Sequence, residues 1–230
     1  YSSVTLRDNL ILVTLIWSLY FFLKKYYFRL TITCILLFYI KIQNFYILIM
    51  LFYIISVFNV SKSKKFKFLN IIFLLTTILI CFLFIDQIFE LANLARKGLY
   101  VEQHGFYKSG TADRLYEPLI LNYSFFTLWV KQTIIFIISP WGNFYSIYLI
   151  AAFMETVITY FCLYYIFVKD FKNKKLKNIV KSWVLFFFIS TLTYALFMFN
   201  DGMIARSRFV WLYFILIGYE IHKNIYIKKL

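Results

Sequence analysis

Long apolar runs alternate with short basic breaks along this chain. Runs at roughly 9–23, 27–41, 44–60, 68–89, 144–168, 182–200 and 209–226 contain few charges. Most approach or exceed the ~17–20 residues that carry a helix across a hydrocarbon core. The pattern predicts an all-α fold, a polytopic transmembrane bundle of about seven spans, as a single integral membrane domain over residues 1–230. A β-barrel would need strands that alternate polar and apolar positions, and the runs do not alternate. The first two runs are short, and Arg29, at the edge of the second, would have to snorkel to the interface.

A further segment, 119–139, reads differently. Ser124, Thr127 and Lys131 share a helical face beside Phe125, Phe126 and Trp129, which predicts an amphipathic helix that is interfacial or re-entrant. Pro140 stops it. The chain shows no internal repeat and no second domain.

Charge then sets the orientation. The chain carries 25 Lys and Arg against 10 Asp and Glu, a net +15. The basic residues gather as Lys24, Lys25 and Arg29; Lys62, Lys64, Lys65 and Lys67; Lys169 to Lys181; and Lys223, Lys228 and Lys229. Such clusters mark cytoplasmic ends. Putting all four there makes 90–143 an extracytoplasmic loop on the same side as 200–208. Because the lysines punctuate grease, nucleic acid is not an expected partner; the lipid bilayer is. Composition agrees: 63% hydrophobic and 23% aromatic, with a mean hydropathy of +0.76. Cys34, Cys81 and Cys162 are far apart inside apolar runs, and His104 is predicted across the membrane from His222. Neither set has metal-site spacing, so no metal or other cofactor is expected. The first residue is Tyr rather than Met, leaving room for upstream sequence; no separate cleavable leader is expected.

Candidate chemistry concentrates on the outer side. Asp86, Glu90, Asn93 and Lys97 recur at helical spacing and form one polar stripe. An acid at the depth of Asp86 is a functional candidate or an ion-paired structural residue. The loop beyond supplies Glu102, His104, Lys108, Asp113, Arg114 and Glu117, groups from which a general base can be drawn. Glu155 lies near the middle of 144–168, where a carboxylate must be protonated, paired or wetted. In "NDGMIARSRF", residues 200–209, Asn200 and Asp201 suit a turn or cap. Arg206 and Arg208 offer planar forks that bind phosphate bidentately where lysine would act as a point charge.

"PWGNFYSIYLIAAFMETV" (140–157) followed by "FNDGMIARSRF" (199–209) resembles a pattern in bacterial polytopic proteins of surface-polysaccharide assembly, the O-antigen or capsule repeat-unit polymerases and related polyprenyl-linked glycosyltransferases. The matching positions are Pro140, Trp141, Glu155, Asn200, Gly202, Arg206 and Arg208, and the resemblance covers about the last 110 residues. It implies a multi-pass protein of the bacterial inner membrane that transfers glycan from a polyprenyl-pyrophosphate carrier to a lipid-linked acceptor. Polyprenyl-linked saccharide would be the substrate, and other polysaccharide-assembly membrane proteins would be partners. Arg206 and Arg208, with Asn200, Asp201, Arg114 and Trp141, would hold it. Asp113, His104 or Glu102 would deprotonate the acceptor hydroxyl, with Asp113 the first choice, and Glu155, Asp86 and Glu90 would support the site.

Two other readings compete. A transferase using a polyprenyl monophosphate sugar would carry acids in its first external loop, yet the turn near 41–44 reads "KIQN", and only Asp8 precedes the first run. A flippase or other transporter would need polar groups through the bilayer midplane, whereas here they collect at one face.

Overall fold

The computed structural model describes residues 2–59, 83, 86, 87, 90, 93, 94, 123–138, 147–197 and 201–228. Among them it is all-α, with seven helices and no strand. These are α1 (Ser2–Lys24), α2 (Tyr27–Ile40), α3 (Ile42–Asn59), α4 (Tyr123–Ile138), α5 (Ile147–Phe171), α6 (Lys177–Phe197) and α7 (Asp201–Ile227). The isolated positions from 83 to 94 are helical too. Asp86 and Glu90 are exposed there, so neither acid of the expected stripe is packed inside.

Six helices fall where the apolar runs lie, but their ends run past them. α1 begins at Ser2, α6 at Lys177 and α7 at Asp201. A run of grease ends at its first charge; a helix ends only where backbone hydrogen bonding stops. The stretch 201–208 is therefore the first two turns of α7 rather than a connector. The expected seven spans are not matched one for one. Among the described residues, Leu6–Lys24 and Lys177–Ala195 are long and apolar enough to cross a membrane, while Tyr27–Ile40, Ile42–Phe58 and Phe125–Ile138 are shorter apolar helices.

α6 is central, touching α3, α4, α5 and α7, while α1 packs on α2, α3 and α7. Its inward side carries Trp183, Phe186, Ser190 and Tyr194, all buried. These recur at i, i+3, i+7 and i+11, one stripe of a helix. α1 reaches α7 closely at Gly218, where an added Cβ would lie 2.5 Å from Trp183 Cη2 and 2.9 Å from Leu19 Cδ2. Only a residue without a side chain fits there. α4 packs on α6: Trp129 donates to the Leu192 carbonyl at 3.0 Å, and Phe136 stacks on Tyr194 at 5.6 Å.

These contacts sort the helix ends. Arg7 reaches the Ile40 carbonyl and Tyr194 reaches Asn44 at one end. Leu19 beside Gly218 and Trp183 places Lys24 with the C-terminal part of α7 at the other. Outer surfaces are apolar by contrast with the polar groups inside. Ile147, Met154, Ile158, Phe161 and Tyr165 form an exposed stripe on α5, while Thr14, Ser18, Asn44, Gln132 and Ser190 are buried.

Candidate functional site

The end of the bundle that receives the N-terminus of α7 holds a buried polar cluster. Arg208, two turns into α7, is 1% exposed. Its Nη1 donates to the carbonyls of Phe136 at 3.0 Å and Ile137 at 3.1 Å. Those carbonyls belong to the last turn of α4, where no intrahelical donor remains. A permanent cation there also faces the negative end of the α4 dipole. Both bonds come from the one nitrogen Nη1, and a guanidinium keeps its charge when buried.

Neighbouring side chains complete the packing. Phe136 is fully buried between Tyr194 and Trp211, its ring centroid 5.6 and 5.5 Å from theirs. Trp211 donates Nε1–H to Ser190 Oγ at 2.8 Å, and Tyr194 donates to Asn44 Oδ1 at 2.6 Å. Polar groups buried among apolar helices must be satisfied in this way. The cluster ties α3, α4, α6 and α7 together.

Glu155 is half-buried on α5 and accepts a hydrogen bond from Tyr213 OH on α7 at 2.8 Å. Its pairing to another helix is thus direct, and Tyr213 was not anticipated as its partner.

The expected site residues divide into three groups. Asp113, His104, Glu102, Arg114, Asn200 and Trp141 lie outside the described residues. Asp201 and Arg206 fall on the first turns of α7, with side chains outside the description. Arg208 is fully described, and its guanidinium is turned into the protein. The spacing predicts Arg206 and Arg208 as forks in a loop or at the start of a helix; the structure makes it the helix start, where helical register sets positions 206 and 208 about 200° apart around the axis. Arg208 in this structure is a helix-end ligand, occupied by backbone. Among the described residues no group of three or more His, Cys, Asp or Glu could hold a metal ion.

Asn44, Ser190, Tyr194 and Trp211 were missed. Asn44 was visible as a polar residue opening an apolar run, yet nothing in the sequence names a partner 150 positions away. Also unnoticed was Asp170 among the lysines at the opposite end. It accepts from Tyr219 OH at 2.8 Å and pairs with Lys223 at 2.9 Å, beside the Trp183 Nε1–H to His222 Nδ1 bond of 3.1 Å.

No protein-family model, curated protein or solved structure matches the chain.

Proposed function

We propose that this chain is a multi-pass protein of the bacterial inner membrane that transfers glycan from a polyprenyl-pyrophosphate carrier to a lipid-linked acceptor at its extracytoplasmic face. The observation that carries the reading is the sorting of charge between helix ends. Lys24 and Lys25, Lys169 to Lys181, and Lys223 with Lys228 belong to one end, and the buried Arg208 cluster belongs to the other. Cytoplasmic lysine anchors produce that asymmetry. Exposed apolar stripes such as that on α5 suit lipid as the surrounding solvent. α4 is then the interfacial or re-entrant helix, and the remaining helices are spans.

The two arginines take separate roles within this reading. Arg208 is a positioning residue that holds the end of α4 to the start of α7. Arg206 and the N-terminus of α7 supply the positive end that an anionic pyrophosphate seeks. The proposed base, Asp113, belongs to the 90–143 loop that the lysine clusters assign to the same face. Stabilising the departing pyrophosphate is where a cation contributes most.

The test uses cells that make polymeric surface glycan. Loss of this chain is expected to leave lipid-linked single repeat units on the outer leaflet. Complementation with Arg206→Gln or Asp113→Asn is expected to restore about 100-fold less polymerisation than wild type, the scale of losing one charge-stabilising group. A normal chain-length ladder with both variants overturns the assignment. Single units trapped on the inner leaflet would support a flippase instead.

A further inference from the structure

The turn between α1 and α2 is a second polar feature, far from the Arg208 cluster and not used by glycosyl transfer. α1 closes with Tyr26 N–H bonding to the Phe21 carbonyl at 2.9 Å and Lys25 N–H to the Phe22 carbonyl at 3.1 Å. Lys25 has φ of 62°. This is a Schellman C-terminus, with Lys25 in the left-handed position that glycine usually fills and Tyr26 contacting Phe21. A lysine held there costs roughly what any side chain costs in that conformation, yet lysine is the residue present.

The turn displays cations and rings together. Lys24, Lys25 and Arg29 are exposed, and so are Tyr26, Tyr27 and Phe28, the last 80% exposed. Arg29 does not extend freely: its guanidinium lies 5.9 Å from the Phe21 ring centroid and 5.7 Å from that of Tyr26. An open groove of about 450 Å³ is lined by Tyr26, Tyr27, Phe28 and Arg29. Among the described residues no carboxylate pairs with Lys24, Lys25 or Arg29. Three cations with no carboxylate partner among the described residues ask for an anion, and exposed aromatics flanking them ask for a surface greasy on one side and wet on the other.

We propose that this turn is a binding site for the phosphate headgroup of an anionic phospholipid in the cytoplasmic leaflet. Arg29, aligned by stacking on Phe21 and Tyr26, gives the phosphate a planar fork. Lys24 and Lys25 add charge from the αL turn, and Tyr27 and Phe28 flank the acyl chains. The site rests on the membrane part of the proposed function and not on its chemistry.

The experiment reconstitutes the full chain into phosphatidylcholine vesicles doped with phosphatidylglycerol, extracts it with mild detergent and measures the lipid that stays bound. Wild type is expected to retain phosphatidylglycerol well above its share of the bilayer. The variant Lys24→Gln, Lys25→Asn, Arg29→Gln keeps a residue tolerant of positive φ at position 25. It is expected to lose about fivefold of that preference per cation removed. The control variant Lys172→Gln, Lys174→Gln, Lys175→Gln removes equal charge elsewhere and is expected to retain the preference. Loss in the control equal to that in the turn variant overturns the proposal in favour of diffuse charge. So does an absence of preference in wild type, or displacement of the lipid by soluble glycerol phosphate. A chain that carbonate washes off the vesicles overturns the membrane reading as well, which separates the two failures.

Discussion

The two ends of the α6–α7 pair handle charge in opposite ways. At one end Arg208 is buried and bonded to backbone carbonyls of α4. At the other, about 20 Å along α7 by helical rise, Lys223 is bridged to Asp170 and Glu220 and remains partly exposed. The first arrangement places a cation on fixed dipoles with little water; the second places a cation on two carboxylates near solvent. Buried charge held by backbone is costly to disturb because its partners cannot turn to water. The Lys223–Asp170 pair, its side chains 21% and 10% exposed, is screened more than the buried arginine and less than a surface pair. The Arg208 end is therefore suited to fix geometry, and the Lys223 end to mark orientation.

The largest effect tests the buried end. Arg208→Ala is expected to cost about 3–4 kcal/mol, combining a cavity with the loss of two charge-assisted bonds. It should appear as a large fall in melting temperature of the purified chain in detergent. A fall no bigger than that of a surface substitution would mean α4 does not depend on this anchor.

Gly218→Ala probes the packing where α1 meets the Lys223 end. Trp183 is fully buried and its ring cannot step aside. Overpacking of this kind is expected to cost about 1–3 kcal/mol. An unchanged melting temperature would show that α1 is free to shift, and with it the grouping of Lys24 with the C-terminal part of α7.

Tyr194→Phe returns to the buried end with a smaller change. It strands Asn44 Oδ1 without its donor, for an expected loss of about 1–2 kcal/mol. The double variant Asn44→Leu, Tyr194→Phe removes both partners and should recover part of that loss. If it adds a second full loss instead, the two residues act separately and the hydrogen bond is not what joins α3 to α6.

The contrast between the ends also explains what the sequence disclosed. Helix positions followed from the apolar runs, because a run of Leu, Ile and Phe is read directly. The residues that join helices were hidden. Arg208 looked available because its neighbours in sequence are Ser207 and Phe209, whereas its partners are 71 and 72 positions away on α4. Glu155 stood out as an acid in grease, but Tyr213 is an ordinary aromatic among 20 tyrosines. Asp170 could have been found, since one acid among many lysines must neutralise something. The loop from 95 to 122, on which the expected base depends, falls outside the described residues.

The smallest effect separates the two ends by salt. Lys223→Met removes the bridge to Asp170 while Tyr219 still donates to that carboxylate. The loss is expected to be about 1 kcal/mol or less at low ionic strength, as for pairs near solvent. At 1 M salt the Debye length falls to about 3 Å, so the gap in melting temperature between wild type and Lys223→Met should narrow. The Arg208→Ala deficit should persist at the same salt, because the partners its Nη1 loses are buried carbonyls. Convergence of both variants at high salt would mean that Arg208 also acts through screened charge, and its role as a fixed clamp on α4 would fall.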